Sequence, residues 1–165
     1  MESRVFIVGL IVGMLATVTM DVVAVIALRL GIAGPGPRRT GPDLIGRWIG
    51  YLLRGKFRHA DILKAPPLRG EFVLELVAHY SIGIVLTLVY LRLLVVAHAT
   101  PTALSAIIYG TATTVFSWFL MFPSQGMGWL GWDAPGDVHL ARVSLFNHII
   151  FGLGIALWMA VIRPI

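Results

Sequence analysis

Four apolar runs, each long enough to cross a bilayer, constrain this chain more than any other feature. They cover residues 5–30, 72–97, 101–122 and 141–162. A helix needs about 20 apolar residues to cross a hydrocarbon core of about 30 Å, and each run meets that length with room for tilt. The runs do not alternate polar and apolar residues, as strands of a membrane barrel would. The expected fold is therefore all-α: an integral membrane four-helix bundle, forming a single domain over 1–165. The first run is longer than the apolar core of a secretory signal and contains Asp21, so it reads as a retained span.

Composition agrees. Hydrophobic residues make up 58% and charged residues 13%, against about 45–50% and about 25% in soluble domains. The absence of cysteine excludes disulfides, cysteine-bound metal and cysteine nucleophiles. The formal net charge of +5 does not point to nucleic acid, because the basic residues are concentrated in one segment. Nine of the 13 Lys and Arg residues lie from Arg29 to Arg69. By the positive-inside bias, the 31–71 loop is cytoplasmic and both termini face outward.

Within that loop, Leu44, Ile45, Trp48, Ile49, Leu52 and Leu53 form an apolar helical face. Thr40 and Asp43 resemble a capping box at its start. An amphipathic helix of this kind is expected to lie at the cytoplasmic interface and meet anionic lipid headgroups. Arg47, Trp48, Arg54, Lys56 and Arg58 are the expected lipid-surface residues. Packing under the mouth of the bundle is the alternative placement. Ala65-Pro66-Pro67 breaks the chain before the second run. The 123–136 loop, rich in Gly and Trp, reads as a compact surface loop or a re-entrant one.

Each run carries a stripe of small or polar residues at spacing near four. The first holds Gly9, Gly13, Thr17 and Asp21; the second holds Glu75, His79, Gly83 and Thr87. The third holds Ala106, Gly110, Thr113 or Thr114, and Ser117; the fourth holds Ser144, His148, Gly152 and Ala156. Such stripes let membrane helices approach closely, either within the bundle or between copies, so a homo-oligomer is an expected partner. Packing explains the small residues but not Asp21, Glu75, His79 and His148. At 1.5 Å per residue, Asp21, His79 and His148 fall roughly 10–13 Å inside the cytoplasmic edge. Ionisable groups at that depth cost about 2.5–3.5 kcal/mol or more and tend to mark function.

Asp21, Glu75, His79, Arg142 and His148 are thus the candidate substrate or proton site. Glu75 is shallow enough to snorkel, and Arg142 reads as an anchor of the fourth helix. His59 reads as surface-directed. A carboxylate–imidazole layer suits proton relay and small-molecule or proton-linked transport. The same Asp21, Glu75, His79 and His148 would be the ligands if a metal were bound, and two histidines on different helices suit haem. No cofactor is required by the sequence. No zinc-protease, di-iron, nucleotide-binding or nucleophile motif is present, so an enzyme is less favoured than a transport or accessory role.

Several short motifs carry a resemblance. They are Ala16-Thr17 with Met20-Asp21, Gly46-Arg47-Trp48, Phe57-Arg58-His59, Pro66-Pro67 with Gly70-Glu71, and Ala78-His79-Tyr80. Pro123 with Gly126 and Gly128, Ala141-Arg142, and His148 followed by Phe151-Gly152-Leu153-Gly154 continue it. In order and extent the chain is similar to a bacterial family of small four-span inner-membrane proteins of unknown function. The resemblance implies a multi-pass protein of the bacterial inner membrane. It directs attention to Asp21, His59, Glu71, His79, Arg142 and His148.

Overall fold

A computed structural model describes residues 2–32, 44–135 and 139–162. Among these the regular structure is helical and no strand occurs. Helix α1 is Glu2–Arg29, α2 is Leu44–Leu52, α3 is Glu71–Val96, α4 is Ala103–Ala112 and α5 is Leu140–Ile162. Four segments are long and apolar enough to cross a membrane: Ser3–Arg29, Glu71–Val96, Ala103–Ser124 and Leu140–Ile162. Their bounds follow the apolar runs to within about two residues, as expected where run length sets helix length. Thr40 and Asp43, expected to cap α2, lie outside the described residues, as does Gly136.

The third span is not a uniform helix. After α4 it continues as a short turn at Thr114–Phe116, a π-helical stretch at Ser117–Met121 and a last turn at Phe122–Ser124. Pro123 supplies the reason. It has no N–H to donate, and its ring would press on a carbonyl one turn back in a regular α-helix. The wider π turn, in which the Phe122 N–H bonds to the Ser117 carbonyl, carries the helix past it. Thr102 begins the span with a capping box, exchanging bonds with Ser105.

The chain divides into two compact units. The first comprises the described parts of 1–26, 80–113 and 145–165. Its core is Val12, Ala16, Tyr90, Leu91, Ala106, Phe151, Ile155 and Met159. Here the small-residue stripes meet as their spacing predicts. A methyl group on Gly13 would come within 2.6 Å of the Ile84 Cα, and one on Gly110 within 2.6 Å of the Gly152 Cα. The side chains facing outward include Ile7, Ile11, Val18, Val22, Val85 and Val89. Apolar groups so exposed along helices of this length suit contact with lipid chains.

The second unit comprises the described parts of 27–79 and 114–144. Its core is Leu44, Trp48, Ile62, Phe122, Met127 and Leu140. The apolar face of α2 therefore packs against protein through Leu44, Trp48 and Ile49, whereas Leu52 and Leu53 at its end are exposed. The passage from His59 to Ile62 runs beside the turn after the third span: His59 N–H donates to the Ser124 carbonyl at 2.8 Å, and Ile62 N–H to the Gln125 carbonyl at 3.0 Å. Gly126, at φ +81°, makes that approach possible, since a Cβ there would overlap the Ala60 carbonyl.

Candidate functional site

Asp21 and His148 both belong to the first unit, and each is held by a hydroxyl from another span. The Tyr80 phenol donates to Asp21 Oδ2 at 3.1 Å. Thr113 Oγ1 lies 2.7 Å from His148 Nδ1. The same Thr113 hydroxyl donates to the Gly110 carbonyl at 2.6 Å. While the Thr113 hydroxyl gives its one proton to the Gly110 carbonyl it accepts from His148 Nδ1–H, and with the other tautomer it turns to donate to Nδ1 instead. Trp158 Nε1 donates to Thr19 Oγ1 at 3.0 Å, two residues before Asp21 on α1.

Tyr80 was not legible as a partner of Asp21, because a tyrosine at a span's polar stripe reads equally as packing. The Thr113 contact had a visible signal in the 106-110-113 stripe, which meets 148 and 152 of α5. Thr17 and Thr87 turn their hydroxyls back to the Gly13 and Gly83 carbonyls, which satisfies them without a further partner on another helix.

Glu75, His79 and Arg142 belong to the second unit. Glu75 is buried rather than snorkelled, His79 is half-buried and Arg142 is exposed. Among the described residues no three His, Asp or Glu side chains are grouped as a metal site would require.

Three expected surface positions are corrected. Arg47 was expected to face lipid but is 3% exposed. Its Nε and Nη2 donate to Glu71 Oε2 and Oε1 at 2.9 Å, and Nη1 donates to the Ala65 carbonyl at 3.0 Å. A planar guanidinium matched to a carboxylate in this two-point way is satisfied inside the protein. Trp48, also expected at the lipid surface, is buried and donates from Nε1 to the Phe57 carbonyl at 2.8 Å. His59, expected to be surface-directed, is buried with its ring 4.9 Å from that of Tyr51. Arg54, Lys56 and Arg58 are exposed.

Burial, and secondly the charge of Lys56, holds the His59 imidazole below its ordinary pKa of 6.5. Above that value folded and unfolded chains both carry a neutral ring. As pH falls through it, the unfolded chain takes up the proton first, so stability is lost toward acid pH. Thermal unfolding in detergent should therefore show a melting temperature that drops between about pH 7 and about pH 5, and His59→Gln should flatten that drop. An unchanged slope in the variant would show that His59 does not set it. Among the described residues His59 Nε2, Trp118 Nε1, Gln125 Nε2 and Ser144 Oγ are buried without a hydrogen-bond partner, the kind of atom that buried water serves.

No curated protein and no solved structure matches the chain. Residues 10–162 match the family described as "Protein of unknown function (DUF2938)". With four helices fit to cross a membrane and the match running almost end to end, the chain belongs to the DUF2938 family.

Proposed function

We propose that the protein is a bacterial inner-membrane protein that moves protons, or a small molecule linked to protons, through the layer containing Asp21 and His148. The observation that supports this most is the Thr113–His148 bond, which orients an imidazole within a span. Asp21, oriented by Tyr80, supplies a carboxylate in the same unit. Carboxylate, phenol and imidazole groups set into spans are the usual components of a proton path. The Lys and Arg bias supports a cytoplasmic 44–70 segment with both termini outside. Reporter fusions after Arg54 and at the C-terminus test that orientation, and a periplasmic signal after Arg54 reverses it.

Reconstituted liposomes containing a pH dye test the activity. An imposed inside-negative potential should drive proton uptake that Asp21→Asn and His148→Gln reduce to background while both variants still insert and purify normally. Tyr80→Phe and Thr113→Val should cause smaller losses. Uptake that is equal in wild type and both variants ends the proposal. The close glycine contacts between spans favour an accessory, purely structural role as the second reading. Under that reading Asp21→Asn and His148→Gln are neutral, whereas Asp21→Leu weakens assembly by leaving the Tyr80 hydroxyl without its acceptor.

A further inference from the structure

The end of α2 projects a short tip that the proton path does not use. The helix stops at Gly55, whose φ is +80°. Gly55 N–H donates to the Leu52 carbonyl at 2.9 Å and Lys56 N–H to the Tyr51 carbonyl at 2.9 Å, the paired bonds of a Schellman turn. The chain then returns along the helix and is fastened there. The Trp48 indole donates to the Phe57 carbonyl, and the Trp48 and Phe57 rings lie 5.7 Å apart. Lys56 Nζ is 5.6 Å from the centre of the Tyr51 ring. These contacts fix the tip at its base from both sides of the turn.

The tip itself is exposed throughout residues 52–58. Leu53 is 74% exposed, and Leu52 and Phe57 are also open. Arg54 and Lys56 stand between them and Arg58 follows, and no acidic residue occurs from Leu44 to Ala60. Exposed leucine and phenylalanine interleaved with cations would be a poor surface for water alone. The combination matches the boundary between acyl chains and negatively charged headgroups, where apolar side chains dip inward while basic ones meet phosphate.

We propose that residues 52–58 form a preorganised hook that docks on the phosphate headgroups of anionic lipid, with Leu53 and Phe57 entering the acyl boundary and Arg54, Lys56 and Arg58 meeting the phosphates. The hook uses neither Arg47 nor Trp48 as a lipid contact. Arg47 ties the helix to Glu71, and Trp48 holds the returning chain in place. The inference rests on the membrane and orientation readings above, but not on proton movement.

Because the chain has no cysteine, Leu53→Cys gives a single labelling site. The variant, carrying an environment-sensitive fluorophore, is placed in nanodiscs of phosphatidylcholine alone or of phosphatidylcholine mixed with phosphatidylglycerol. Emission should shift to the blue as phosphatidylglycerol is added, and the shift should reverse in high salt. Each basic residue near such a surface is worth roughly fivefold in the docking equilibrium, so Arg54→Ala, Lys56→Ala and Arg58→Ala together should lower it ~100-fold. Trp48→Phe keeps the cations but removes the clamp, and should weaken docking by a smaller factor. Emission indifferent to lipid charge, or a triple variant that docks as well as the parent, overturns the proposal. Membrane-impermeant maleimide applied to intact cells carrying Leu53→Cys reports the orientation separately: labelling from outside refutes the cytoplasmic placement, whereas the nanodisc experiment reads docking from either side.

Discussion

Replacing Arg47 with Ala is expected to destabilise the second unit by about 3–5 kcal/mol, the usual cost of removing one partner of a buried ion pair. The side chains of Arg47 and Glu71 are 4% and 13% exposed. Without the guanidinium, Glu71 keeps the Leu68 N–H at 3.0 Å but faces no cation from α2. The Ala65 carbonyl loses a donor in the same step. Thermal and denaturant unfolding in detergent, followed by tryptophan emission, measures the loss. A double variant, Arg47→Met with Glu71→Leu, should recover most of it, because replacing both charges with apolar groups removes the desolvation cost along with the attraction. A loss below about 1 kcal/mol for Arg47→Ala would mean the pair behaves like an exposed one.

The second large effect is expected at Gly46. A methyl group there would overlap the Glu71 carbonyl oxygen and lie 2.8 Å from both the Glu71 carbonyl carbon and the Glu75 nitrogen. All three are backbone atoms at the start of α3, so no side-chain rotation can make room. Gly46→Ala should destabilise by about 3 kcal/mol, despite the gain of about 1 kcal/mol that alanine brings to a helix interior. Gly50→Ala is the control. Its methyl would meet the Leu68 Cδ1 at 2.6 Å and the Leu74 Cδ1 at 3.3 Å, both ends of flexible side chains. Its net effect should stay within about 1 kcal/mol of zero. Equal melting temperatures for the two variants would show that the backbone contact at Gly46 does not hold α2 in place.

The spans were legible because a bilayer demands a minimum apolar length, and no other local signal competes with it. Helix α2 was legible from the spacing of Leu44, Trp48 and Leu52. The direction in which its residues point was not. A helical wheel places Arg47 off the apolar face, but a long side chain follows its best acceptor, and Glu71 lies 24 residues away in sequence. His59 misled for a related reason: a histidine among basic residues looks solvent-facing until the chain from 122 to 126 is seen to cover it. The π turn had only Pro123 to announce it. At the candidate site, the ionisable residues stood out by depth. Of their hydroxyl partners, Thr113 was visible as a member of a small-residue stripe and Tyr80 was not, since only tertiary contact distinguishes an orienting hydroxyl from one bonded to its own helix.

The π turn at Ser117–Met121 also governs how length changes in the third span would be felt. Such a turn is an α-helix carrying one surplus residue, and one residue is worth about 100° of rotation. A relative lacking a residue in this stretch would still form a continuous helix. Its two halves would keep their phase, because the wider turn already takes up the rotation of the surplus residue, whereas the same deletion in a regular helix would turn one half by about 100°. Aligned sequences would record this as a single gap inside a transmembrane helix, a place where gaps are ordinarily treated as errors. Here such a gap would mark the loss of the π turn, and Pro123 would be expected to disappear with it.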